Sequence, residues 1–426
     1  METLQVVFLT VFVFFLIVTV HEWGHYFFAK RAGILVREFA IGFGPKLFSI
    51  KRGETRYTLR LIPAGGFVRM AGEDPEIVDV KPGQTIAVRV AGDRVTRIYL
   101  DRLDERTNVI RGEVEAIDLE RRLSVSLNVE GESERYDIHP QAVMIAKGRE
   151  TQIAPLDRQF GSKTVGQRAL AIFAGPAMNF ILAFVLFGAY IQMAGIPVEP
   201  PDRLLVNEVL EGMPAAKADL RKGDVIDSIN GEKIGADYDK MIGMIGESAG
   251  KPLVMTVIRD GKPVDIKLTP VLDPESGVGK VGLTAAYPTR QAGFGETIVR
   301  SGVLMKDMTV SIFEGFKKLI FGEFKLDDLG GPVRTAEVTS QIAMRGITQL
   351  TSWAALLSLY LGIFNLLPIP ALDGSRLVFL GLEALRGRPV DPNRESMVHF
   401  IGFAMLMLLM LAVTYNDILR LVRGEH

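Results

Sequence analysis

Four long apolar runs separate the polar parts of the chain, and their lengths predict membrane-spanning helices. The first covers residues 4–29, and a helix of that length rises further than a bilayer core of about 30 Å. The second covers residues 170–195 and the fourth residues 397–415. The third, residues 353–385, is too long for one straight span and contains two prolines near its middle, which predicts a broken helix.

Basic residues follow the first run closely and also lie between the third and fourth runs. They are Lys30, Arg31, Arg37, Lys46, Lys51, Arg52, Arg56, Arg60, Arg386, Arg388 and Arg394. By the positive-inside rule these loops are cytoplasmic. With four spans, both termini and the segment between the second and third runs are then expected outside.

Composition narrows the classes of function. The chain has 426 residues, a mean hydropathy of +0.22 and a net charge of −1, so it has no basic field that would attract nucleic acid. It has no cysteine, which excludes disulfides, iron–sulfur clusters, thiolate zinc sites and cysteine nucleophiles. Any metal must be held by His, Asp or Glu.

In two polar segments the sequence predicts secondary structure but no catalytic or binding motif. Residues 75–165 alternate apolar and polar positions between turn residues, which predicts short strands in a cytoplasmic, β-rich insertion. Residues 286–350 have a helical, amphipathic pattern. That pattern fits either a helix lying at the outer membrane interface or a helix packed on the neighbouring domain.

Residues 200–285 resemble a bacterial PDZ domain. The resemblance rests on a strand-like stretch at 203–209, the segment 219–226, Asn230-Gly231 and a late hairpin at Asp260-Gly261. It implies binding of an extended peptide as an added strand at a sheet edge. A permuted strand order would make the peptide-binding loop Val281, Gly282 and Leu283.

The first apolar run contains His21-Glu22-Trp23-Gly24-His25, an H-E-x-x-H pattern. Positions i and i+4 share one helix face, so both imidazoles can reach one zinc ion, and Glu22 can act as a general base for hydrolysis. The alternatives are a chance pentapeptide or polar residues that join the helix to its neighbours. Ionisable groups inside a span cost about 2.5 to 3.5 kcal/mol each, which favours a functional site.

A catalytic zinc site needs a third protein ligand, and Asp373 stands out for that role. It follows Asn365 in the broken third run, after two prolines. Unwound backbone at membrane depth is tolerated where protein or a water-filled cavity surrounds it, as in an active site. Partial unwinding brings Asp373 towards the depth of His21.

Together these motifs make the chain resemble the site-2 protease family of intramembrane zinc metalloproteases, in its bacterial branch that includes a Bacillus enzyme acting on anti-sigma factors. The resemblance also covers residues 41–45 and 174–180. It implies His21, His25 and Asp373 as zinc ligands and Glu22 as the general base. It further implies Asn365 as a substrate-binding or oxyanion-stabilising residue. Ser375 departs from the second glycine found after Asp-Gly in many relatives.

The same resemblance implies a membrane-dipping β-loop, because residues 57–69 alternate and then turn. An edge strand there would give an unwound substrate helix new backbone partners. The alternative is an ordinary juxtamembrane hairpin. The candidate substrate-binding residues are Tyr57, Leu59, Leu61, Gly65, Gly66 and Phe67, with Asn179 as a further candidate. The Asn179 amide alternatively satisfies backbone groups freed by Pro176 or bonds across helices.

The expected fold is a polytopic α-helical membrane protein with four transmembrane helices, an inserted PDZ-like β/α domain and a β-rich cytoplasmic segment. The predicted segments are residues 1–30 (helix with the H-E-x-x-H), 31–74 (membrane-associated β-loop), 75–165 (β-rich insertion), 166–196 (second span), 200–285 (extracytoplasmic PDZ-like domain), 286–350 (amphipathic helices), 351–385 (broken third span) and 396–416 (fourth span).

The expected function is a Zn²⁺-dependent endopeptidase of the bacterial plasma membrane that cleaves single-span membrane proteins within or near their transmembrane segments. Its expected partners are these substrates, the lipid bilayer and an upstream site-1 protease, with no nucleic acid. Anti-sigma-factor-like proteins and signal-peptide remnants are the expected substrates. Two alternatives are a membrane scaffold without turnover and a metal-handling membrane protein, although the metal motif offers no chain of sites across the membrane.

Overall fold

The computed structural model describes residues 3–73, 80–198, 202–273, 277–322 and 330–423. The chain divides into two compact units, residues 1–187 with 302–426 and residues 188–301, and each is described by itself. Parts of the predicted segments, at residues 1–2, 74–79, 200–201, 274–276 and 323–329, lie outside the described residues.

The described residues contain nine α-helices, four of which are long and apolar enough to cross a membrane. The helices are α1 (Thr3–Arg31), α2 (Val165–Ala194), α3 (Pro214–Lys217), α4 (Tyr238–Glu247), α5 (Phe294–Ile320), α6 (Pro332–Arg345), α7 (Ile347–Leu366), α8 (Asp373–Arg386) and α9 (Pro392–Arg423). The four long apolar helices are α1, α2, α7 and the part of α9 from Arg394 to Arg420, which confirms the four runs read from the sequence.

Strands occupy three stretches of the chain. They are β1 (Val36–Arg52), β2 (Thr55–Met70), β3 (Thr85–Ala91), β4 (Arg94–Tyr99), β5 (Ile110–Asp118), β6 (Ser124–Val129), β7 (Glu132–Ala146), β8 (Arg149–Gln152), β9 (Ile196–Pro197), β10 (Leu204–Val209), β11 (Val225–Ile229), β12 (Glu232–Lys233), β13 (Leu253–Arg259), β14 (Lys262–Leu268), β15 (Val271–Leu272), β16 (Gly279–Lys280), β17 (Leu283–Ala286) and β18 (Thr289–Arg290).

In the first unit, β1 and β2 form a small sheet whose long strands fold back on themselves. Ala40 pairs with both Phe67 and Thr58, and Thr58 also pairs with Ser49. The sheet therefore has four adjacent segments in the order 66–70, 36–41, 55–60 and 46–52. Segment 66–70 is an edge, since no other strand of the described residues pairs with β2.

The β-rich insertion predicted from the sequence is a six-stranded sheet in the order β4-β3-β5-β6-β7-β8. Because β4 also pairs in parallel with β7, the strands β3 to β7 close into a small barrel around buried aliphatic side chains. Closure removes the free edges that a short open sheet would expose. The sequence pattern predicted the strands but not this closure.

Glu54, in the turn between β1 and β2, ties the small sheet to the insertion. Its Oε2 accepts a hydrogen bond of 2.8 Å from Arg158 Nη2, and its Oε1 accepts one of 3.0 Å from Gln152 Nε2. The hydrogen-bonded Arg158 guanidinium lowers the pKa of Glu54 to about 2. The carboxylate is thus held in its ionised form as a fixed link between the two sheets.

The apolar helices pack against one another around small residues. Gly24 of α1 lies against Ala174 of α2, where a Cβ at position 24 would meet the Ala174 carbonyl oxygen at 2.3 Å. Residues 304–316 of α5 pack against α2 and α7. The apolar side chains of residues 304–316 are therefore covered by α2 and α7. Packing on the PDZ-like domain, which was one predicted alternative, is not needed to explain their apolar pattern.

The break that the prolines predict in the third run is present, since α7 and α8 are separate helices joined by residues 367–372. Gly374 lies so close to the end of α7 that a Cβ there would meet the Leu366 carbonyl oxygen at 2.3 Å. Ser375 instead donates its hydroxyl to the Leu372 carbonyl at 2.8 Å. Close packing thus requires glycine at 374, whereas serine at 375 fixes the start of α8.

The second unit contains a six-stranded sheet in the order β14-β13-β11-β10-β17, with β12 paired to β11. Helices α3 and α4 cover an aliphatic core that includes Leu204, Ile226 and Met255. β9 pairs with β18, so the two chain ends that lead into this segment lie side by side. The β/α content predicted for residues 200–285 is confirmed, and β17 lies at one end of the sheet.

Candidate metal centre

Helix α1 presents His21, Glu22 and His25 on neighbouring positions of its buried side. All three side chains belong to residues with less than 9% of their surface exposed. The helical repeat brings the two imidazoles together, and their Nε2 atoms lie 3.2 Å apart. The pairing expected from the H-E-x-x-H spacing is therefore present.

Asp373, the first residue of α8, completes a group of three donor atoms. Its Oδ2 lies 3.4 Å from His21 Nε2 and 3.3 Å from His25 Nε2. Oδ2 has no hydrogen-bond partner although it is buried. Zinc at about 2.0–2.1 Å from each of three tetrahedral ligands requires ligand separations of about 3.4 Å. The triangle of separations thus fits three ligands of one zinc ion.

Other groups fix the orientation of the two imidazoles. His25 Nδ1 lies 2.9 Å from the Ala171 carbonyl oxygen of α2. His21 Nδ1 lies 3.2 Å from Asn179 Nδ2, also on α2. Helix α2 therefore supports both histidines from the side opposite Asp373.

A cavity of about 460 Å³ opens onto the three donor atoms. It is lined by His21, Glu22, His25, Gly66, Phe67, Val68, Arg69, Met70, Glu73, Ile172, Asn365, Ala371, Asp373 and Arg376. Glu22 lies beside the small sheet, since a Cβ at Gly66 would meet its Cγ at 2.8 Å. The edge segment 66–70 forms one wall, so a backbone edge lies next to the metal-binding atoms.

The structure divides the predicted substrate-binding residues into two groups. Gly66 and Phe67 line the cavity, and Arg60 and Arg69 place their guanidinium groups 5.1 and 5.7 Å from the Phe67 ring centre. Tyr57, Leu59, Leu61 and Gly65 do not line it. Tyr57 instead hydrogen-bonds Tyr26 through its hydroxyl at 2.8 Å. The alternating pattern identified the strands but not their order in the sheet.

Asn179 has a different place from the one predicted for a substrate-binding residue. It is fully buried and does not line the cavity. It lies behind His21, so it contacts a candidate metal ligand and not the space open to substrate. The alternative that its amide bonds across helices agrees with this position.

In the second unit, Val281 and Gly282 directly precede the edge strand β17, and Leu283 is its first residue. The carbonyl oxygens of Val281 and Gly282 accept hydrogen bonds from Ala215 and Leu210. Val281 is buried in the core of the unit, so its side chain does not face a ligand. The position of the loop before an edge strand leaves peptide binding there as a prediction.

Several cavity residues were not identified from the sequence. Arg376 forms an ion pair with Glu73, and both line the cavity. Ala371, also in the lining, has a positive φ of 78° just before Asp373. The signal for Arg376 was an ionisable residue inside an apolar run, which usually marks function. Glu73 lies in a polar stretch and gave no signal.

Comparison with known proteins gave consistent matches along the chain. The sequence model of the family described as Peptidase family M50 matches residues 9–409. The chain is 43% identical over 415 residues to the Regulator of sigma-W protease RasP of Bacillus subtilis (strain 168), covering 96% of this chain and 97% of that protein. It is 44% identical over 419 residues to the Zinc metalloprotease RasP of Geobacillus kaustophilus, covering 98% of each. Among solved structures, the PDZ domain of an SdrC-like protein from Listeria innocua matches 21% of this chain and 100% of its own, at 21% identity and a TM-score of 0.19.

Proposed function

The chain belongs to peptidase family M50 and is a zinc metallopeptidase of the site-2 protease type, and from this premise we propose that it hydrolyses peptide bonds within or near the transmembrane segments of single-span membrane proteins. The observation that carries the proposal is the place of the metal-binding triangle. His21 and His25 lie on the apolar helix α1 and contact the apolar helix α2, and Asp373 follows the apolar helix α7. The three residues lie next to an open sheet edge. A substrate strand added to that edge would lie across the metal site.

The residues around the triangle divide the chemistry among them. When bound, zinc supplies Lewis acidity that polarises a carbonyl and makes water more nucleophilic at neutral pH. Glu22, which lines the cavity beside His21, accepts the proton of the attacking water and passes it to the leaving amine. Asn365, on the last turn of α7, faces the same cavity and stabilises negative charge on the substrate oxygen.

Segment 66–70 holds the substrate in this proposal. A transmembrane helix hides its carbonyls in its own hydrogen bonds, so cleavage requires unwinding at the site. Backbone groups on a sheet edge replace those bonds by strand addition. The edge adjoins Glu22, which brings the exposed peptide bond towards the general base.

The experiment compares the wild type with Glu22→Gln on a single-span substrate tagged at both ends, with zinc per chain measured in detergent. Glu314→Gln, an exposed position on α5, is the matched control. We expect one zinc per chain in all three proteins and cleavage in the wild type and the control only. Zinc binding without cleavage of several trimmed helices would favour a scaffold without turnover. Net metal transport into vesicles by Glu22→Gln would favour a metal-handling protein.

The role of the sheet edge has its own test, since the sheet has a second edge at residues 46–52. Phe67→Pro removes a backbone donor from the edge at the cavity, and Phe48→Pro removes one from the opposite edge. We expect loss of cleavage with intact zinc content for Phe67→Pro and retained cleavage for Phe48→Pro. Equal cleavage by the two variants would contradict substrate binding at segment 66–70.

The segment 200–285 is proposed to act outside the membrane as a size filter or tether. It would admit substrates only after a site-1 protease has trimmed their outer domains. An anti-sigma factor is the substrate class we propose, because one relative is named a regulator of sigma-W protease. Val198 N donates to the Pro288 carbonyl at 2.8 Å, and β9 pairs with β18 beside it. A short Gly-Ser linker from Val198 to Pro288 can therefore replace the domain without moving the chain ends.

We expect the shortened protein to cleave an untrimmed substrate that the full chain rejects. A control variant keeps the domain and carries a short Gly-Ser insertion between Asp202 and Arg203. Continued rejection of the untrimmed substrate by the shortened protein, with normal cleavage of a trimmed one, would contradict the filter.

The proposed orientation places both termini and residues 200–285 outside the plasma membrane and residues 31–165 in the cytoplasm. The chain has no cysteine, so single introduced cysteines report sidedness without background. Lys262→Cys should react with an impermeant maleimide in intact cells, whereas Ser133→Cys should react only after lysis. Both side chains are exposed, so the opposite labelling pattern would reverse the orientation.

A further inference from the structure

Asn179 has a polar atom that its surroundings leave without a partner. The residue is 0% exposed, and its Oδ1 accepts no hydrogen bond. Its Nδ2 points at His21 Nδ1 across 3.2 Å. A buried amide oxygen without a donor costs about 1–3 kcal/mol, so its presence beside a metal ligand calls for a function.

The metal-binding triangle dictates which atoms of the histidines carry protons. Both imidazoles face the triangle through Nε2, so each must offer the Nε2 lone pair to zinc and carry its proton on Nδ1. For His25 the Nδ1–H donates to the Ala171 carbonyl at 2.9 Å. For His21 the Asn179 amide faces Nδ1, and the Gly175 backbone also hydrogen-bonds the imidazole. An oxygen on Asn179 would add a side-chain acceptor for the His21 proton beside this backbone group.

We propose that Asn179 is the positioning residue of His21 and presents its Oδ1 to the His21 Nδ1–H when zinc is bound. Half a turn of the amide about its Cβ–Cγ bond exchanges Oδ1 and Nδ2. The exchange gives the His21 proton an acceptor and gives the buried Oδ1 a donor. Asn179 thereby fixes the tautomer and the ring orientation of one zinc ligand, as the Ala171 carbonyl does for the other.

Helix α7 fixes the backbone from which this amide projects. Ser358, fully buried on α7, donates its hydroxyl to the Asn179 carbonyl at 2.9 Å. One turn further along α7, a Cβ at Gly362 would meet the Asn179 Cβ at 3.4 Å. The side-chain amide therefore has little freedom except rotation about its own bond. The contacts of Ser358 and Gly362 with Asn179 therefore connect α7, through α2, to His21 on α1.

The test measures zinc affinity of the full chain in detergent by competition with a chelator, and the absorption spectrum of the Co²⁺ form. Asn179→Leu keeps the size but removes the acceptor, and we expect zinc affinity to fall about 10–100-fold. Asn179→Asp keeps an oxygen acceptor, and we expect affinity within about threefold of wild type and a wild-type Co²⁺ spectrum. Asn416→Leu, the same substitution on α9 at a residue that does not line the cavity, is the control, and we expect wild-type zinc affinity for it.

Wild-type affinity in Asn179→Leu would overturn the proposal, as would equal loss in the Leu and Asp variants, since equal loss indicates packing alone. If the variants do not fold, the wild type still decides: ¹⁵N chemical shifts of the zinc-loaded protein should show a protonated Nδ1 in His21. An unprotonated His21 Nδ1 would overturn the proposal. The inference rests on the zinc site of the proposed function, but affinity is measured without substrate, so a protein that binds zinc and cuts nothing leaves it standing.

Discussion

Gly175 of α2 lies directly against His25 of α1: a Cβ at position 175 would stand 2.2 Å from His25 Nε2 and 2.5 Å from its Cε1. Non-bonded heavy atoms pack at about 3.5–4.0 Å, so no side chain fits between the helix and the ring. His25 Nε2 is one of the three atoms of the metal-binding triangle. The absence of a side chain at 175 is therefore what allows that atom to face the other two donor atoms.

We expect Gly175→Ala to displace the His25 ring and to lower zinc content to a small fraction of the wild-type value, with activity falling in proportion. Gly166→Ala is the matched control, because a Cβ at Gly166, also on α2, meets nothing within 4 Å. Zinc per chain, determined by atomic absorption, checks the prediction. Full zinc content in Gly175→Ala would show that the two helices separate without disturbing the ligand.

Gly66 supports a second and separable prediction. A Cβ there would meet Glu22 Cγ at 2.8 Å and the Ala40 carbonyl oxygen at 2.7 Å. Because the metal ligands are not touched, Gly66→Ala should keep its zinc while kcat falls about 100-fold, the cost of moving a reacting group by about 1 Å. Gly161→Ala, whose Cβ would come no closer than 3.8 Å to Gly72, is the control. Loss of zinc in Gly66→Ala would contradict this separation of roles.

The three candidate metal ligands could be identified from the sequence because each depends on a local rule. The spacing of His21 and His25 fixes their common face, and the burial of ionisable groups in apolar runs pointed to Asp373. The structure brings their donor atoms within 3.4 Å of one another. The break before Asp373 likewise followed from the prolines, which cannot continue a helix.

The wall of the cavity could not be predicted in the same way. Alternation identifies a strand but not its neighbours, so the sequence made Tyr57, Leu59 and Phe67 equal candidates for substrate binding. Only the strand register places segment 66–70 at the edge of the sheet. The pair of Glu73 and Arg376 joins residues far apart in the chain. Gly175 belonged to a motif whose physical reason, its contact with His25, is visible only in three dimensions.

The ion pair of Glu73 and Arg376 connects the end of the edge strand to the helix that carries Asp373. Glu73 Oε2 also accepts a 3.4 Å hydrogen bond from the Met70 backbone, so the pair fixes the distance between segment 66–70 and α8. We expect Glu73→Gln and Arg376→Gln each to raise KM and lower kcat. The double variant should lose less than the sum, with a coupling of about 0.5–3 kcal/mol in a double-mutant cycle. Additive losses would show that the two residues act independently.

The link between Glu54 and Arg158 makes stability depend on pH. Arg158 lowers the pKa of Glu54 to about 2, below its unfolded value of about 4.3. The stabilising effect is therefore complete above the unfolded pKa and is lost as the pH falls towards 2. We expect Glu54→Gln to lower the unfolding temperature at pH 6, with a difference from wild type that shrinks as the pH falls to 3. A constant difference would contradict the link, and Glu113→Gln, an exposed residue of β5, should show no such trend.

Asn365 offers a prediction that decides between its two proposed roles. Its Nδ2 donates to the Leu361 carbonyl at 3.1 Å, which leaves the second hydrogen of this amide to act in the cavity that Asn365 lines. If that hydrogen stabilises the oxyanion, Asn365→Leu should lower kcat about 100–1000-fold with unchanged zinc content and little change in KM. Asn365→Asp, which keeps the size but loses the donor, should behave in the same way. If Asn365 only binds substrate, the loss should appear in KM for the Leu variant, because uniform binding affects the ground state and the transition state equally. Steady-state kinetics on a trimmed helical substrate separate the two outcomes.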